Sequence, residues 1–102
     1  MECYDCKHIT NYVEVYENHC LGTSSCDYSE ICLSATFAYH VKGTNTTKFE
    51  IIKTCYEDGV DPCRDFLEYN YEPVPIDDSI EYDEYCYTCS EPLCNFPAAS
   101  SA

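Results

Sequence analysis

The sequence predicts a small, disulfide-rich, all-β domain. Ten cysteines in 102 residues are about a tenth of the chain, a level that marks a disulfide scaffold in a short sequence. The apolar content is thin, with no tryptophan and one methionine. Ordering each residue costs roughly 1.5 kcal/mol, so on the order of 150 kcal/mol opposes folding, and a core this modest needs covalent staples. The apolar residues alternate with period two in several stretches and nowhere recur at i, i+3, i+4, i+7 behind a cap, so strands are expected and helices are not.

The elements follow in order. "YVEVYE" (12–17) alternates, and "NHCLGTSSC" after it is a loop, so Cys6 to Cys20 is expected to form a short hairpin. "CLSATFAYHV" (32–41) alternates cleanly: Leu33, Ala35, Phe37, Tyr39 and Val41 share one face, Ser34, Thr36 and His40 the other. "KGTNTT" (42–47) is a polar turn containing Gly43 and Asn45, and "KFEIIKTCY" resumes a strand pattern with Phe49, Ile51 and Ile52. Residues 32–55 are therefore expected to be one long hairpin. A third excursion spans 63–86, in which "FLEYNY" and "SIEYDEYCY" flank "EPVPIDD". The prolines Pro73 and Pro75 bar a central strand at its tip.

Dense cysteines are metal ligands, redox catalysts or disulfide partners. Two CxxC units, Cys3/Cys6 and Cys86/Cys89, have the spacing of zinc-ligand pairs, but the gap between them is far longer than the usual 15–20 residues or so. Zinc would also leave the remaining cysteines unexplained. A thioredoxin-like centre needs a βαβ context that is absent from the pattern. Disulfides are the expected state, with no metal and no cofactor. Composition alone does not choose among the many pairings that ten cysteines allow.

The order of the cysteines resembles a known family. "ECYDC" at the start, Cys20 and Cys26 separated by five residues, and "C-x4-CN" at Cys89–Asn95 look like the lymphocyte-antigen-six/urokinase-receptor family. The likeness covers residues 2–95 and implies a three-finger fold, three β-hairpin loops leaving a five-disulfide hub. It implies the bridges Cys3–Cys32, Cys6–Cys20, Cys26–Cys55, Cys63–Cys86 and Cys89–Cys94. It also implies that Asn95 hydrogen-bonds backbone in the hub. The family usually has its eighth and ninth cysteines adjacent, whereas Tyr87 and Thr88 separate Cys86 from Cys89 here. A bridged loop as long as Cys3–Cys32 contributes about 3 kcal/mol by loss of unfolded-chain entropy, and shorter ones somewhat less.

Disulfides on this scale belong to an oxidising compartment, so an extracellular location is expected, secreted or on the cell surface. "NTT" at Asn45–Thr47 is an N-glycosylation acceptor. Glu2-Cys3 follows Met1 directly, which fits a secretory signal already removed. The domain is expected to span 1–95. Residues 96–102 then form a flexible tail, whose small residues fit a glycolipid-anchor attachment region or an ordinary frayed end. That anchor is the only membrane association expected. The net charge of −14 argues against nucleic acid and leaves a basic protein as the complementary partner. A monomer is expected.

Three function classes are open to such a chain. Nothing resembles a nucleophile elbow or a zinc HExxH, and His8, His19 and His40 suit a solvated surface, so no catalytic residue and no enzyme is expected. The family resemblance implies a cell-surface binding module for a receptor, channel, junction or gamete-surface protein. A secreted toxin-like antagonist is the alternative: Lys42, Lys48 and Lys53 lie on the second finger, though the rest of the chain is acidic. The tip of that finger, with Lys42, Gly43, Thr44, Asn45 and Lys48, is a candidate contact surface, or else a solvated turn. Finger III concentrates Asp65, Glu68, Glu72, Asp77, Asp78, Glu81, Asp83 and Glu84 around Tyr69, Tyr71, Tyr82 and Tyr85. It is a candidate acidic, aromatic strip, open to sulfation at Tyr82 or Tyr85, or else a charged edge that blocks aggregation. Calcium capture by Asp77, Asp78, Glu81 and Asp83 lacks the EF-hand pattern.

Overall fold

A computed structural model describes residues 1–10, 21–45, 47–69 and 79–97. The described residues form strands β1 (Glu2–Tyr4), β2 (Cys6–Thr10), β3 (Thr23–Ser25), β4 (Glu30–Val41), β5 (Thr47–Glu57) and β6 (Ile80–Cys89), with a helix, α1 (Pro62–Tyr69), between β5 and β6. β1 and β3 form a two-stranded sheet, and the others a four-stranded sheet in the order β2-β5-β4-β6. All pairings are antiparallel. The protein is a small disulfide-rich β fold.

The long hairpin is β4–β5, with Cys32 directly opposite Cys55 and His40 opposite Thr47. Gly43 sits in its turn at φ 82°, a backbone that glycine adopts without steric cost. Leu33, Ala35 and Phe37 do share a face, packed with Phe66 of α1. Ser34 and Thr36 on the other face are buried too, because β4 is an inner strand, and at Ser34 the chain beyond Cys94 returns across that face. Ser34 Oγ donates to the Pro97 carbonyl at 3.2 Å.

The helix was not expected from periodicity. It begins where Asp61 caps it, Oδ1 accepting from Arg64 N–H at 3.2 Å, and Pro62 occupies the first turn, where a missing N–H costs nothing. An eight-residue helix is marginal alone. Phe66 fastens it to the sheet, meeting Tyr56 edge-on at 5.7 Å, as does the Cys63–Cys86 bridge. The third excursion therefore leaves the hub as a helix and returns as β6, instead of pairing two strands through its base. Its proline-containing tip (73–76), like the expected first-hairpin strand at 12–17, lies outside the described residues.

Four of the implied bridges are present: Cys3–Cys32, Cys26–Cys55, Cys63–Cys86 and Cys89–Cys94. Cys6 is disulfide-bonded as well; the implied Cys6–Cys20 pair involves a residue outside the described set. Tyr87 and Thr88 extend β6 without disturbing the hub. Side chains alternate along a strand, so a three-residue step, like a one-residue step, sends Cys86 and Cys89 to opposite faces. Cys86 meets Cys63 and the helix, while Cys89 joins Cys3, Cys26 and Cys32.

Candidate functional site: the joined face of fingers II and III

Asn95 organises the hub. It is fully buried, its Oδ1 accepts from Tyr4 N–H at 2.9 Å, and its Nδ2 donates to the carbonyls of Tyr4 (3.0 Å) and Leu33 (2.9 Å). One amide thus joins β1, β4 and the C-terminal segment. Next to it, Lys53 is also fully buried. Its ammonium donates to the Phe96 carbonyl and lies 5.6 Å from the Tyr4 ring centroid and 5.1 Å from that of Phe96. Tyr87 OH donates to the Pro97 carbonyl. Two expectations change here. Lys53 is not part of a basic finger surface, which leaves Lys42 and Lys48. The packed domain also extends past Asn95, since Phe96 and Pro97 are held by side chains of β4, β5 and β6.

The candidate contact residues come together across strands. Tyr39 lies opposite Lys48 on β5 and opposite Tyr82 on β6, which puts the three side by side on the helix-bearing face. The next row is Glu50, Phe37 and Glu84 by the same registers. Tyr82 packs on Tyr39 with ring centroids 5.2 Å apart and stacks on Phe37 at 6.4 Å. Its hydroxyl donates to Glu84 Oε2 at 2.8 Å, so packing already engages this tyrosine. Lys48 and Glu84 are exposed, and Lys7 pairs with Glu50 at 3.1 Å. Lys42 N–H donates to the Ser79 carbonyl at 2.8 Å, which ties the start of β6 to the turn of finger II. Thr44 closes that turn, its hydroxyl donating to the Val41 carbonyl at 2.7 Å.

Strand alternation divides the "EYDEY" strip. Glu81, Asp83 and Tyr85 share the face of Ala38 and Thr36, opposite to the face of Tyr82 and Glu84. Asp65 and Glu68 sit on α1, and Glu72, Asp77, Asp78 and Tyr71 lie outside the described residues. Arg64 is hydrogen-bonded to Glu68 at 3.0 Å, and that bond, aided by the charges of Glu68, Asp61 and Asp65, raises its pKa further. Asn45 is exposed in the finger II turn. The cysteine sulfurs that crowd together in the hub, those of Cys3, Cys26 and Cys55 and of Cys32, Cys89 and Cys94, are spent in disulfides.

Two signals in the sequence were available and unused. Asp61-Pro62 is a helix start, and Lys53 lies on the same strand parity as Ile51, which foretells burial. No protein-family model, no curated protein and no solved structure matches the chain.

Proposed function

We propose that the chain is an extracellular, non-enzymatic binding module of the three-finger type that engages a protein partner at the cell surface. The observation that carries this is the Lys48–Tyr39–Tyr82 row, set across three hydrogen-bonded strands and rimmed by exposed Glu84. Tyr39 and Tyr82 are half-buried and the Tyr39 hydroxyl is covered, so their uncovered ring area supplies rigid contact while the flanking charges of Lys48 and Glu84 fix orientation and raise on-rate. A glycan on Asn45 would cover the turn and leave this face as the contact. A lipid anchor downstream of Pro97 would start from a segment already fastened to the sheet.

The test is proximity labelling on cells that display the full chain, native or carrying Lys48→Glu with Glu84→Gln. Both positions are exposed, so the fold tolerates the changes. A cell-surface protein labelled by the native chain and lost with the double variant supports the proposal. An identical labelled set for both chains sinks it.

A further inference from the structure

Two large apolar side chains, Tyr28 and Val60, are fully exposed at a relative accessibility of 105% each. Single exposed apolar residues are ordinary on a protein surface. These two sit in neighbouring turns at the hub end, and both turns are fixed. The first closes through Glu30 N–H to the Asp27 carbonyl at 2.9 Å and Asp27 N–H to Glu30 Oε1 at 2.8 Å. The second folds through Gly59 N–H to the Glu57 carbonyl at 3.0 Å and runs into the cap of α1 at Asp61. Asp58 N–H donates to the Ser29 carbonyl at 3.0 Å and ties the two turns together. The Cys26–Cys55 and Cys63–Cys86 bridges hold their roots.

The surroundings are mostly acidic. Asp27, Glu57, Asp58 and Asp61 are exposed in and beside the same two turns. Glu30 and Glu57 are direct cross-strand partners, a like-charge pairing that works against sheet stability by roughly 0.2–1 kcal/mol. The nearby base, Arg64, is engaged by Glu68 at 3.0 Å.

We propose that Tyr28 and Val60 form a preformed knob that inserts into an apolar pocket rimmed by lysine or arginine on a partner protein. The fixed turns lower the ordering cost of binding, and the excess of carboxylates over the single nearby base, Arg64, selects a basic rim. β4 is 12 residues long and starts at this end, so at about 3.3 Å per residue the knob lies roughly 35 Å from the finger II turn. The two surfaces are separate, and the domain can bridge two proteins.

The experiment uses a displayed library of random disulfide-closed peptides as the probe, selected on the full chain with Lys7→Arg and an acetylated N-terminus, held through its Lys42 and Lys48 amines at the far end. The expected winners carry an apolar residue flanked by lysine or arginine. They should bind the Tyr28→Ser/Val60→Ser variant about tenfold more weakly or worse, bind the Lys48→Glu chain unchanged, and weaken as salt rises. Winners without basic residues, or indifferent to the double variant, overturn the proposal. Amide exchange on the native chain is the second measurement. Slow exchange at Glu30 and Asp58 supports a preformed knob, and exchange at the rate of an open chain overturns it.

Discussion

The ammonium of Lys53 donates to the carbonyl of Phe96 and sits 5.1 Å from the centre of the same residue's ring. One buried cation thereby grips both the backbone and the side chain of the segment that follows the last cysteine. Lysine tolerates this site because the carbonyl and two aromatic faces replace part of its hydration. In the native protein, amine-reactive reagents should modify Lys7, Lys42 and Lys48 and leave Lys53 untouched until the chain is denatured. Lys53→Met preserves the volume and loses the hydrogen bond, an expected cost of about 1–2 kcal/mol. Lys53→Ala also leaves a void and should cost more. Denaturation midpoints of the two variants give the comparison, and equal midpoints would show that packing contributes nothing at this position.

Asn95 makes three hydrogen bonds from full burial. Asn95→Ala should cost about 3 kcal/mol or more, since each orphaned group loses roughly 1–3 kcal/mol. Asn95→Asp should be worse at neutral pH. A carboxylate there cannot donate to the Tyr4 and Leu33 carbonyls, and burial disfavours its charge. The sign follows from linkage: folding of this variant favours the protonated acid, so its stability rises as pH falls and is lost as pH rises. Thermal unfolding of the Ala and Asp variants across an acidic pH series should show the gap between them narrowing toward low pH.

Leu93 holds φ at 56° in the small loop closed by Cys89–Cys94, where Cys94 N–H bonds the Glu91 carbonyl at 3.2 Å. Left-handed backbone costs a residue other than glycine or asparagine about 1–2 kcal/mol. Leu93 is 37% exposed, so most of its surface is covered and that burial offsets part of the backbone cost. Leu93→Asn is expected to raise the unfolding midpoint, and Leu93→Val to lower it because a β-branched residue fits this backbone worst. A midpoint that falls with asparagine would show that the leucine side chain, not the backbone, decides the position.

Residues 33–41 were legible because alternation is a local property of the chain, and β4 displays it whatever its neighbours are. Thr36 and Ser34 show where that legibility stops. Their face follows from parity, but burial on that face depends on distant parts of the chain, as where Ser34 meets Pro97, 63 residues away. The strand order β2-β5-β4-β6 was likewise hidden, since alternation along each strand says nothing about which strands are neighbours. The contact residues suffered the same fate. Tyr82 to Tyr85 read as one strip in the sequence, and the pleat of β6 sends them to two faces, where Tyr82 finds Lys48 only through the intervening Tyr39.

The bridges should differ in what they hold. Cys63–Cys86 and Cys3–Cys32 span 23 and 29 residues, so loss of either releases a similar unfolded-chain entropy, about 3–4 kcal/mol. Their surroundings differ. Cys63–Cys86 joins α1 to β6 on the helix-bearing face, and without it Phe66 must hold an eight-residue helix almost unaided. Cys3–Cys32 lies fully buried among Cys26, Cys55, Cys89 and Cys94, where its loss opens a void against the other bridges and loosens the Asn95 site. Replacing Cys63 and Cys86 with alanine should therefore speed amide exchange in residues 62–69 while β4 and β5 stay protected. Replacing Cys3 and Cys32 should expose all strands together. Exchange that spreads evenly through the sheet in the first variant would mean that the helix and the hub unfold as one unit.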